Sequence, residues 1–137
     1  MTYTDINGTW TIDSGWIGYT EDARFQSDST VNIASGGTWN TDGEMRFGEK
    51  SGTSTINVAV GGHLNMDGKM LWNDDNVEQV NRLNVDGTAY VQQLFMFGQQ
   101  ESDDVTTVGN GTDAATLTIV EGFLGKKGNA SITINDG

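Results

Sequence analysis

The chain has 137 residues, 35% of them hydrophobic, with 19 glycines and no proline or cysteine; 19 acidic against 7 basic side chains give a net charge of −12. That length suits one domain over residues 1–137, and the lack of cysteine excludes disulfides, zinc–thiolate centres and thiol nucleophiles. The charge repels phosphate backbones and anionic headgroups, and no stretch approaches the ~20 apolar residues of a membrane span, so neither nucleic-acid binding nor membrane insertion is expected.

The opening Met1-Thr2-Tyr3-Thr4-Asp5 lacks the basic and apolar regions of an export signal. A first strand is expected near Thr2. Gly8-Thr9-Trp10, with Asp13 and Trp16, then recurs 29 residues later as Gly37-Thr38-Trp39 with Asp42 and Met45. From Val31 the recurrence becomes regular. Val31-Asn32-Ile33 through Phe47-Gly48 falls on Ile56-Asn57-Val58 through Trp72-Asn73 at a constant offset of 25, pairing Gly36-Gly37 with Gly61-Gly62, Asp42-Gly43 with Asp67-Gly68 and Met45 with Met70. The same offset carries Leu64 to Ala89, Met66 to Val91, Met70 to Phe95 and Trp72 to Phe97, with a two-residue insertion before Leu83-Asn84-Val85. Val105 to Val108, Leu117-Thr118-Ile119 and Phe123-Leu124 form a looser copy, and Ile132-Thr133-Ile134 begins another.

Each copy contains three short segments alternating at period two, the period of a strand, separated by Gly-Gly, by Asp-Gly and by a longer polar stretch. A unit of this size cannot bury its apolar face alone and does so by stacking on a copy of itself. The sequence therefore predicts an all-β, parallel, three-sided β-solenoid of about five coils of roughly 25–26 residues. An antiparallel β-sandwich is the alternative, since short strands with frequent turn signals also suit that class. In the solenoid, Trp39, Met45, Phe47, Leu64, Met66, Met70, Trp72, Val91, Phe95 and Phe97 fill the shaft.

Val31-Asn32-Ile33-x-x-Gly36-Gly37, Ile56-Asn57-Val58-x-x-Gly61-Gly62 and the closing Ile132-Thr133-Ile134-Asn135-Asp136-Gly137 resemble the Gly/Asn-rich β-solenoid repeats of secreted bacterial proteins. Autotransporter passenger regions and proteins with a PEP-CTERM sorting signal carry such repeats. The resemblance spans about residues 8–134 and implies an extracellular or cell-surface location; the sorting signal itself is absent.

Functional candidates follow from register. Asn32, Asn57 and Asn84 face outward as a ladder, with Thr133 at the equivalent place. Asn40, Asn65 and Tyr90 combine amides with an aromatic face, the pairing a polysaccharide site uses. Glu21, Asp22, Asp28, Glu49, Asp74, Asp75, Glu78, Glu101, Asp103 and Asp104 are assigned to the corner between third and first segments. There Asp74, Asp75, Asp103 and Asp104 are candidates for calcium, a hard cation held by several oxygens, although their spacing matches no standard calcium loop; a merely solvated edge is the other reading. The lone histidine, His63, has no nucleophile partner, so no enzyme is expected and no other cofactor is implied. Outside the third segment, Leu71, Leu94 and Met96 form an apolar strip to be covered either by the loop at 109–115 or, in self-association, by a neighbouring molecule. The expected first strands near Thr2 and Ile132 give both ends the same phase, so that uncapped coils, through Ile132 and Ile134, would continue one another head to tail. The function expected is a non-catalytic structural subunit of an extracellular filament, or part of a surface stalk or adhesin; the alternative is a polysaccharide-binding module.

Overall fold

Alternation at period two is realised as thirteen strands and no helix among the residues described by the computed structural model, namely 3–47, 52–72, 79–96, 102–124 and 129–135. Numbered along the chain, β2 (Thr9–Ile12), β5 (Ser29–Ile33), β7 (Gly52–Val58), β9 (Gln79–Val85), β11 (Ser102–Val108) and β13 (Asn129–Ile134) form one sheet, the first side. A second sheet holds β1 (Thr4–Ile6), β3 (Ile17–Thr20), β4 (Ala23–Phe25), β6 (Thr38–Phe47), β8 (His63–Trp72), β10 (Thr88–Met96) and β12 (Thr116–Leu124). Every pairing is parallel, and neighbours in each sheet come from successive coils. The fold is a β-solenoid.

The second and third segments of a coil are a single strand in β6, β8, β10 and β12 rather than two, so one sheet wraps around two sides. It bends at Asp42-Gly43 and Asp67-Gly68. Glycine is required there because the coils touch backbone to backbone: a Cβ on Gly68 would lie 1.9 Å from the Gly43 carbonyl oxygen, and Gly43 adopts φ 95°. Below them Asp22 Oδ1 accepts the Glu44 N–H at 2.8 Å and closes the bend.

The offset of 25 is the register of the central coils. Val31 pairs with Ile56, Trp39 with Leu64, Met45 with Met70 and Phe47 with Trp72, and the insertion before Leu83 lets Ile56 pair with it. Inward residues therefore stack in columns. From the first side run Trp10, Val31, Ile56, Leu83, Thr106, Ile132 and Ile12, Ile33, Val58, Val85, Val108, Ile134. Opposite them Trp39, Leu64 and Ala89 stack, as do Met66 and Val91, and the third side adds Phe25, Phe47 and Trp72. These side chains are essentially inaccessible except at the terminal coils. Each large aliphatic or aromatic side chain buried there stabilises the coil by about 1.5–3 kcal/mol, which an isolated coil could not achieve.

Four expectations are corrected. First, β10 is one residue shorter than β8 at the bend, where Gln92 replaces Asp67-Gly68, so the offset falls after Val91 and Leu94 pairs with Met70, Phe95 with Leu71 and Met96 with Trp72. Leu94 and Met96 are thus buried and Phe95 turns outward; Phe97 lies outside the described residues. Second, Trp10 stands under Val31 on the first side, not under Trp39. Third, β1 pairs with β4 on the third side, so the first strand is not at the phase of Ile132. Fourth, Glu21 and Asp22 sit at the bend beside Asp42 and Gly43, because Thr20 pairs with Thr41 and Ala23 with Met45.

Candidate functional site

On the second side, inward residues fill the shaft and the alternate positions form an outward ladder: Tyr19, Asn40, Asn65, Tyr90 and Thr118. The three residues expected to bind a glycan, Asn40, Asn65 and Tyr90, are therefore in one column, and Tyr19 joins them. Together with Asp42 and Asp67 they line an open groove of about 370 Å³. Asn65 Nδ2 donates to Asn40 Oδ1 at 2.8 Å, while the Tyr90 hydroxyl donates to Gln92 Oε1. Tyr19 is 62% exposed. Partial desolvation, followed by the carboxylates of Glu21 and Asp42, pushes its phenol above the ordinary tyrosine range.

The first side presents the amide ladder read from the sequence. Asn57 Nδ2 donates to Asn32 Oδ1 and Asn84 Nδ2 to Asn57 Oδ1, each at 2.9 Å, with Thr11 below and Thr107 and Thr133 above on the same face. Each amide passes on the polarity of the one beneath it, which protects a flat sheet face.

On the third side Asp5, Arg24, Arg46, Leu71, Phe95 and Phe123 follow one another outward. Its lower half is a charge cluster. Arg24 donates to Asp5 and Arg46 to Glu44; the Tyr3 hydroxyl donates to Glu44 Oε1 at 2.8 Å, and both guanidinium carbons lie 5.5 Å from the Tyr3 ring centroid. Burial pushes the Glu44 carboxyl up, but the hydrogen bonds from Arg46 and Tyr3 and the charges of Arg46 and Lys69 outweigh it and leave the group below its ordinary value. Burial and the Glu44 carboxylate raise the Tyr3 phenol. The upper half is apolar through Leu71, Phe95 and Phe123, with the Lys69 ammonium 5.6 Å from the Phe95 ring centroid. Of the strip assigned to self-association, Leu71 is on this face, whereas Leu94 and Met96 are in the shaft.

Sequence reasoning missed a buried polar column. Ser29, Ser54, Asn81 and Asp104 stack on the inner face of the first side, next to the connection from the third side. Ser29 Oγ donates to the Ile6 carbonyl at 2.8 Å, and Asn81 Nδ2 donates to Asp104 Oδ1 at 2.8 Å. Their shared parity with Val31, Ile56 and Leu83 was the available signal. Asp103, by contrast, faces solvent, so the two aspartates point to opposite faces of β11. Asp74 and Asp75 lie outside the described residues. Among the described residues no group of three or more His, Asp or Glu side chains converges in a way that could hold a metal ion. His63 is exposed between Thr38 and Thr88.

Comparison of the chain with family models, with curated proteins and with solved structures returns no match.

Proposed function

We propose that this chain is a non-catalytic structural element whose solenoid coils associate end to end in an extracellular filament or stalk. The observation that carries the proposal is the state of the shaft at its two ends. Ile134 and Leu124 top columns whose next members below, Val108 and Met96, are 6% and 0% exposed, yet they are themselves 77% and 51% exposed. At the other end Gly18 occupies the place that Trp39 fills one coil higher, with the Ile12 side chain packed against it, and an open hollow of about 220 Å³ is lined by Thr11, Ile12, Asp13, Trp16, Ile17 and Gly18. Apolar side chains protrude at one end, a hollow of mixed polar and apolar lining opens at the other, and both ends present strand edges able to pair with a further coil. Such a contact is heterologous and propagates.

The strand inventory shapes the junction. The first and third sides each have six strands among the described residues and the second has five. A junction between copies is thus continuous on two sides and leaves one rung open on the second. The surface location is supported by the resemblance of the Val-Asn-Ile-x-x-Gly-Gly repeats to those of secreted bacterial proteins.

The test is sedimentation velocity across a concentration series, at low and high salt, with electron microscopy of the same samples. Elongated assemblies are expected, favoured by salt because screening relieves repulsion between copies of net charge −12. Ile134→Lys and Leu124→Lys should disperse them without unfolding the coils. A folded protein that stays monomeric at high concentration and high salt would overturn the proposal.

A further inference from the structure

The groove on the second side runs up to the rung that an end-to-end junction leaves open, and its chemistry differs from that of the other faces. The first side is an amide and hydroxyl ladder, and the third side pairs its charges internally. Among the described residues, the second side alone combines two aromatic rings, two amides and two carboxylates in one open channel. We propose that this channel binds a neutral, unbranched polysaccharide lying along the solenoid axis, with Tyr19 and Tyr90 as aromatic platforms and Asn40, Asn65, Asp42 and Asp67 as hydrogen-bonding partners of its hydroxyls.

The orientation follows from register. Tyr19, Asn40, Asn65 and Tyr90 occupy four successive rungs of one column. At the ~4.8 Å spacing of paired strands the two tyrosines are about 14 Å apart along the axis, so a ligand touching both must be extended in that direction. A sugar ring presents an apolar C–H face and a rim of hydroxyls. An exposed phenol ring suits the face, because it offers a rigid apolar surface at little conformational cost.

Polarity fits the rim. The bond from Asn65 to Asn40 uses one donor of the first amide and the acceptor of the second. Each asparagine carries two donors and an acceptor, so the pair retains both kinds of capacity for hydroxyl groups, which donate and accept. Asp42 and Asp67 stand on adjacent rungs at the bend and are acceptors only. Charge sets the ligand class: two carboxylates in the channel and a net charge of −12 repel uronates and sulfated glycans and leave neutral chains as the occupant. The bend is fixed by Gly43 and Gly68, so the channel is formed before any ligand arrives, which lowers the ordering cost of binding.

Affinity gel electrophoresis with soluble polysaccharides tests this. The probes are an extended neutral β-linked glucan and a xylan, with dextran as a flexible neutral control and polygalacturonate as a polyanionic one. Retardation by at least one of the extended neutral chains and not by polygalacturonate is expected. Tyr19→Ala and Tyr90→Ala should each weaken it by about tenfold, the loss of one good aromatic contact. Tyr19 is largely exposed, so its replacement leaves the fold intact, which circular dichroism checks. Absence of retardation by every neutral probe, retardation by polygalacturonate alone, or retardation unchanged in Tyr19→Ala would each overturn the proposal. The outcome does not depend on the assembly state, because Ile134→Lys, the end variant, should bind as the unaltered chain does.

Discussion

The indole of Trp72 lies stacked on the ring of Phe47, centroids 5.0 Å apart and planes 13° from parallel, one coil above it in the same column. Phe25 continues the pile below, its centroid 4.3 Å from that of Phe47 at a tilt of 60°. The shaft is thus a set of stacked, mostly apolar columns, and contacts between successive coils fill it.

Removing one member of that pile should cost what a large cavity costs. Trp72→Ala and Phe47→Ala are expected to lower the free energy of unfolding by about 3–5 kcal/mol, measured by urea titration. Phe123→Ala, at the exposed end of the outer strip, should change it by less than ~0.5 kcal/mol.

The bend makes a sharper prediction. Gly68→Ala drives a methyl group into the Gly43 backbone, which no rotamer change relieves, and should destabilise by roughly 1–3 kcal/mol or more. Gly122→Ala meets its nearest atoms at 3.5 Å and 3.8 Å, ordinary contact distances, and should be neutral or slightly stabilising. Thermal unfolding of the two variants side by side distinguishes them.

The amide ladder should show a positional effect. Asn57 bonds both ways, to Asn32 and from Asn84, whereas Asn32 takes part in one amide–amide bond. At about 1 kcal/mol per hydrogen bond, Asn57→Ala should cost about 2 kcal/mol and Asn32→Ala about half as much, again by urea titration.

The charge cluster predicts a pH dependence with a definite sign. Glu44 is held below its ordinary value in the folded chain, so its contribution is fully present above the unfolded carboxyl range and disappears as pH falls through the lowered value. The stability difference between the unaltered chain and Glu44→Gln should therefore shrink as pH falls from 5 towards 3, a range set by the ordinary carboxyl value of ~4.3. Tyr3 is raised, so its contribution holds below the unfolded phenol value and is lost as pH climbs through the higher folded one; Tyr3→Phe should remove that alkaline loss.

How much was legible varied along the chain for physical reasons. From Val31 to Met66 the coils have equal length, so like residues fall at one offset and columns can be read directly. At Gln92 one residue is missing, and because side chains alternate, a slip of one exchanges inside for outside: Leu94 and Met96 take the places assigned to Phe95 and Phe97. The absence of glycine in Val91-Gln92-Gln93-Leu94 was the clue. The first coil is shorter, placing Tyr19 under Asn40, which an offset of 29 concealed; three of the four residues in the groove column were therefore identified and the fourth was not. The polar column of Ser54, Asn81 and Asp104 went unread because polar residues are ordinarily placed outside.

End-to-end stacking is tested most directly by cross-linking, which the absence of native cysteine makes clean. Thr11 and Thr133 stand at the two ends of the outward ladder on the first side. In a stack they fall on neighbouring rungs, about 4.8 Å apart, within the Cα separation that a disulfide spans. When Thr11→Cys and Thr133→Cys chains are mixed and oxidised, mixed Thr11–Thr133 dimers should dominate over both symmetric products. Equal or symmetric cross-linking, or none while both variants remain folded, would contradict head-to-tail association.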